Sequence, residues 1–249
     1  MKEIILKINN LSKNYYTQKN EIKAIENLSF NVYKNEILAI VGPSGCGKST
    51  LLGILANLEN KTSGSIIKNN DYKIGYMLQS DSLFPWLNVL DNSIIGLDIA
   101  NNKTKDTINY VISLLKKYGL YDFKDNYPNN LSGGMKQRCA LIRTLAINPD
   151  LILLDEPFSA LDYQTRLALS NDMYQIIKNE NKTAILITHD IAEAISMADR
   201  VIVLTKRPCQ VKDIYEIKLN NKSDPISNRK DKNFNYYYDM IWRDLDVHI

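Results

Sequence analysis

The sequence predicts an α/β protein with a helical lobe inserted between two halves of its sheet, and three observations lead to that reading. Apolar runs at ILAIV (37–41), in LILLDEP (151–157) and in TAILITHD (183–190) have the pattern of strands covered on both faces. Between the first run and the other two, from about Ser82 to Asn148, the pattern turns helical. The glycine-rich GPSGCGKST (42–50) sits between ILAIV and the helix-spaced TLLGILANL (50–58), the strand–loop–helix placement that a phosphate-binding loop needs.

Taken in order, EIILKI and AIENLSFNVY alternate like strands, and SGSIIK (63–68) and KIGYMLQ (73–79) add two more. DTINYVISLLKKYGL (106–120) has helical spacing and a Gly119 stop. LSGGMKQRCALIRTLAI (131–147) is a second strong helix, ended by Asn148-Pro149, and LDYQTRLALSNDMYQIIKN is a third. From about Thr205 the chain is polar and rich in Asn and Lys, with a short closing helix around NYYYDMIWRDL. The expected organisation is a core unit over 1–220, a helical subdomain inserted at approximately 82–148, and a polar extension over 221–249.

Composition excludes more than it selects. A chain of 249 residues, 45% hydrophobic and 24% charged, suits one large globular unit. Apolar runs stay far below the roughly 18–20 residues that cross a bilayer, and the N-terminus does not read as a secretory signal, so a cytoplasmic chain is expected. The net charge of +3 comes from scattered lysines rather than a basic face, which argues against nucleic acid as a partner. Cys46, Cys139 and Cys209 share no metal-ligand spacing and suggest no disulfide framework.

The chemistry starts at the loop. Gly42, Gly47, Lys48 and Ser49 occupy the fixed places of G-x-x-x-x-G-K-[ST]. Glycines at 42, 45 and 47 let successive amides converge on phosphates, with Pro43, Ser44, Cys46 and Thr50 completing the cradle. Lys48 is expected on the β and γ phosphates of ATP, and the Ser49 hydroxyl on Mg²⁺. Cys46 reads as a small residue that fits, whose alkylation would block nucleotide binding. Asp155 ends an apolar strand and is placed to hold Mg²⁺, leaving Glu156 to polarise an attacking water. Ser132 reads as the N-cap of a helix whose Gly133 and Gly134 leave amides uncovered, a second anion-binding site in one chain.

The order and spacing of these parts resemble the ATP-binding cassette (ABC) ATPases from about Leu6 to about Leu204. The resemblance implies a P-loop NTPase core in which two chains face each other head to tail around two ATP molecules. Each site would join one chain's P-loop to Ser132, Gly133 and Gly134 of the other, with Asp162 crossing between sites. It also implies that Gln79 touches Mg²⁺ and the attacking water, and that His189 contacts the γ-phosphate. Tyr15 takes the adenine-stacking position, with Tyr16 as the fallback; His248 matches nothing and reads as inert.

Two kinds of cassette compete: the energy-coupling subunit of a membrane transporter, and a soluble ATPase linked to nucleic acid or regulation. One compact cassette without a Cys-x-x-Cys pair favours transport. SDSLFPWLNVLDN (80–92) and RVIVLTKRP (200–208) resemble the importers of nitrate, sulfonate, taurine and related solutes. That likeness implies transmembrane permease subunits docking near Phe84, Pro85 and Trp86, and a solute-binding protein outside the membrane. The bland alternative makes Trp86 a core anchor of the lobe. Two departures stand out: Asn35-Glu36 replaces the usual Gly-Glu, a turn that Asn tolerates, and Cys209 replaces a glycine.

Overall fold

The computed structural model describes residues 2–16, 20–68, 72–159, 161–220 and 222–245; His248 lies outside them. Strands β1 (Ile4–Tyr16), β2 (Glu21–Tyr33) and β4 (Ser63–Lys68) form an antiparallel sheet in the order β2-β1-β4. A second sheet runs β5-β6-β7-β3-β8-β9, from β3 (Ile37–Val41), β5 (Ile74–Met77), β6 (Leu151–Asp155), β7 (Thr183–Ile187), β8 (Arg200–Leu204) and β9 (Val211–Glu216). All its pairings are parallel except β8 with β9.

Alternation along each central strand divides the interior in two. Leu38, Ile40, Leu153, Ile185 and Ile202 face a core shared with the antiparallel sheet and α1 (Lys48–Leu55). Ile37, Ala39, Ile152, Leu154, Leu186 and Val201 face the other core. That second core gathers α4 (Gly133–Ala146), α5 (Tyr163–Asn179) and α6 (Ile191–Met197) with the lobe helices α2 (Val89–Ile99) and α3 (Lys105–Lys117). Burial on both faces explains why ILAIV, LILLD and TAILI read as unbroken apolar runs.

Asparagine does the turning that glycine often does. Asn35 has φ 59 and its amide donates to Thr183 Oγ1 at 2.9 Å, so the turn before β3 survives without glycine. Asn148 ends α4 at φ 50, and Gly119 stops α3 at φ 70. Glu36 turns inward against Arg200 at 3.1 Å.

The chain beyond Thr205 is polar, but it is docked. β9 extends the large sheet, and α7 (Pro225–Asn228) and α8 (Phe234–Asp244) pack on α6. Asn228 is fully buried, donating to the Ser196 carbonyl at 2.7 Å. Lys222 reaches Asp199 at 2.6 Å. No helix among the described residues is long and apolar enough to cross a membrane.

Candidate active site

Parallel neighbours β3, β6 and β7 deliver the residues after their C-terminal ends to one edge, where ligands of open α/β sheets bind. Loop 42–47 leaves β3 there and enters α1. Gly45 (φ 70) and Gly47 (φ 131) hold backbone that side chains rarely adopt, and a Cβ on Gly47 would lie 3.1 Å from the Ala24 oxygen. Lys48 is 6% exposed and curls back, donating to the carbonyls of Gly42 at 2.8 Å and Pro43 at 3.1 Å. The amides of Ser44, Gly45 and Gly47 donate to no backbone carbonyl among the described residues, which leaves donors for an anion at a helix start.

Asp155 closes β6 and accepts from Ser49 Oγ at 3.4 Å and Tyr76 hydroxyl at 3.1 Å. Burial pushes its carboxyl above the ordinary range against the pull of those two hydrogen bonds. A carboxylate and a hydroxyl meeting at the loop are hard oxygen donors of the kind Mg²⁺ takes, and a cation there would relieve the burial. Glu156 follows at φ 44, a region costly for a residue with a Cβ, and its amide donates to Ile187. Its Oε2 stands 3.1 Å from His189 Nδ1, so the two come together as a pair.

The loop, Glu156 and Arg207 line a cleft of about 290 Å³, which Asp155 joins through Ser49 and His189 through Glu156. A roomier groove of about 460 Å³ around Tyr110 and Lys182 lies toward the opposite strand ends and holds none of them. Tyr15 is tied to the cleft: its hydroxyl bonds Glu59 and lies 3.3 Å from Thr50 Oγ1, with Lys13 over its ring. Tyr16 is 72% exposed. Gln79 falls two residues after β5 and donates to Ser159 Oγ at 3.3 Å; it makes no hydrogen bond to Ser49 or Asp155. Cys46 is 2% exposed, so a thiol reagent reaches it only when the loop opens. Its thiol is held below the ordinary range by the Cys209 thiol first and by Lys48, against burial.

Ser132 caps α4, its Oγ accepting from Met135 N at 3.3 Å. Asp162 caps α5 through Thr165 N at 3.0 Å, a bond that also holds its carboxyl down. With Gly133 and Gly134 they line a separate cleft of about 360 Å³ that shares no residue with the first. Phe84 and Trp86 pair with ring centroids 5.3 Å apart, and Trp86 is 69% exposed, which removes the reading of Trp86 as a core anchor. The loop bearing them is pinned: buried Asn92 binds the Phe84 amide at 2.8 Å and the Leu87 carbonyl at 2.8 Å. Arg143 holds the carbonyls of Asp81 and Ser82.

Sequence reading missed a polar bracket behind His189. Thr188 Oγ1 donates to buried Glu193 at 2.7 Å, and Arg166 joins Asp190 at 3.5 Å to the Leu161 carbonyl at 3.1 Å. The legible signal was a Thr and a Glu set among apolar positions around His189.

A family model described as ABC transporter matches residues 25–159, more than half of the chain. The chain belongs to the ABC transporter family. This ABC chain is 40% identical over 248 residues to the uncharacterized ABC transporter ATP-binding protein YtlC of Bacillus subtilis (strain 168), across 97% of this chain and 95% of that protein. It is 37% identical to the aliphatic sulfonates import ATP-binding protein SsuB of Bacillus anthracis, across 88% and 87% of the two chains. Among solved structures it is similar to the dimeric post-hydrolysis state of the ATP-binding cassette MJ0796 bound to ADP and Pi. That likeness has TM-score 0.72 and 32% identity, over 86% of this chain and 99% of the other.

Proposed function

We propose that this ABC chain is the ATP-hydrolysing, energy-coupling subunit of an importer for a small solute of the nitrate, sulfonate or taurine kind. It works as a homodimer on the inner face of the membrane, beneath separate permease subunits. The observation that carries the reading is that Lys48, Ser49 and Glu156 line one cleft, with Asp155 bonded to Ser49 and His189 paired with Glu156. The import names of relatives and the likeness of 80–92 support the transport role.

In this reading the loop amides and Lys48 bind the polyphosphate of ATP, and Tyr15 offers a ring face to adenine. Ser49 and Asp155 would hold Mg²⁺, which supplies charge neutralisation on the β and γ oxygens. Glu156 accepts a proton from the water aimed at the γ-phosphorus, while His189 fixes the Glu156 carboxylate and faces the γ-phosphate. Gln79, beside Ser159, reaches the site once it closes. The Ser132–Gly134 cleft lies apart from the loop, so each site is completed by a second copy. Phe84, Pro85 and Trp86 form the contact for the permease.

Size-exclusion chromatography of Glu156→Gln with and without Mg-ATP tests the sandwich. A monomer that becomes a dimer only with Mg-ATP supports it; a variant that binds ATP yet stays monomeric, also when mixed with its permease, overturns it.

A further inference from the structure

Arg207 belongs to none of the nucleotide-binding motifs, yet it lines the same cleft as Lys48 and Glu156. It stands in the turn after β8, the strand beside β3, so the topology sets that turn against the P-loop. The turn is clasped. Thr205 N donates to the Gln210 carbonyl at 3.0 Å, and Thr205 Oγ1 donates to the Pro208 carbonyl at 3.1 Å. Cys209 N donates to the Ala24 carbonyl at 2.9 Å, and the Cys209 carbonyl accepts from Glu26 N at 3.1 Å.

From this fixed base the exposed Arg207 guanidinium donates to the Gly45 carbonyl at 2.6 Å, at the crown of the loop. It forms no ion pair among the described residues. A guanidinium has five donors, and a single neutral carbonyl uses little of that capacity or of its charge. Charge-assisted bonds from a guanidinium to phosphate oxygens are the stronger ones.

We propose that Arg207 is a nucleotide-binding residue that pairs with the polyphosphate from the lip of the cleft that Lys48 also lines. The inference rests on the reading of this cleft as the ATP site. It assigns to the turn after β8 a share of the affinity for nucleoside di- and triphosphates. Because Arg207 lies at the rim, its contribution falls on binding rather than on the bond-breaking step.

The test compares the parent with Arg207→Ala and Arg207→Lys. Fluorescence titration with a trinitrophenyl ATP analogue, displaced by Mg-ATP, Mg-ADP or AMP, gives affinities, and phosphate release gives KM and kcat. The expected result for Arg207→Ala is an affinity for Mg-ATP and Mg-ADP about tenfold weaker, from loss of a charged hydrogen bond. KM then rises by the same factor, kcat stays within twofold, and the melting temperature is unchanged. Arg207→Lys recovers part of the loss, and displacement by AMP changes least. An Arg207→Ala affinity within twofold of the parent overturns the proposal. So does a kcat that falls as far as KM rises, or a lowered melting temperature that the lysine variant shares. A parent that binds no nucleotide would sink the ATP reading itself, a result distinct from these.

Discussion

Glu156 is the residue at which geometry and chemistry meet most tightly. Its backbone is held at φ 44 after a strand that is buried on both faces, and this conformation sets its carboxylate against His189. Replacing it by Gln keeps the shape and removes the proton acceptor. Phosphate release from Glu156→Gln is therefore expected to fall by about 10²–10⁴-fold, while ATP affinity changes little. Phosphate release near the parent rate would reassign the base. Residues of this kind were legible because the chemistry fixes their spacing: Gly47-Lys48-Ser49 needs a strand before it and a helix after it, and Asp155 needs an apolar strand to hold it. Arg207 was not legible, because its partner Gly45 is distant in sequence and brought beside it by sheet order.

Elements were legible wherever burial is complete. ILAIV, LILLD and TAILI declare themselves, whereas β9 hides in VKDIYE, an edge strand with polar residues on its open side. The tail's docking was equally hidden, since its buried apolar residues Ile217, Leu219, Phe234 and Ile241 are scattered among polar ones and joined by polar bonds from Lys222 and Asn228. Asp199 anchors that junction. Burial pushes its carboxyl up, but Lys222 and Lys178 outweigh this and hold it below the ordinary range. Burial lowers the Lys222 ammonium, helped by the neighbouring Lys178 charge and against the pull of Asp199. The acid-side pH dependence of this junction is therefore carried by the Asp199 carboxyl. Its stabilisation is present above the unfolded value near pH 4 and is lost as pH falls through the lower folded value. Asp199→Asn is expected to cost ~2–3 kcal/mol at neutral pH in urea denaturation and to flatten the loss of stability below about pH 4. An unchanged acid profile would remove Asp199 from that role.

A second prediction at this scale concerns Gly75 in β5, which lets α4 cross close. A Cβ there would lie 2.6 Å from Thr144 Cγ2 and 3.2 Å from Pro149. Gly75→Ala is expected to destabilise by ~1–3 kcal/mol, measured the same way, and a neutral result would mean that α4 can shift at no cost.

At the scale of the whole molecule, neither the glycine-rich start of α4 nor the exposed aromatic loop lines the cleft at Lys48. Trp86→Ala is expected to leave ATP affinity and melting temperature unchanged, because the ring is 69% exposed, and to reduce copurification with the permease. Equal losses in both would return Trp86 to a structural role. The two clefts share no residue, and that has a genetic consequence. In a cell expressing Lys48→Ala and Ser132→Arg chains in equal amounts, about half of the dimers pair one of each. In the proposed head-to-tail homodimer each mixed pair concentrates both lesions in one site and leaves the other intact, so the two alleles are expected to complement each other where each alone fails.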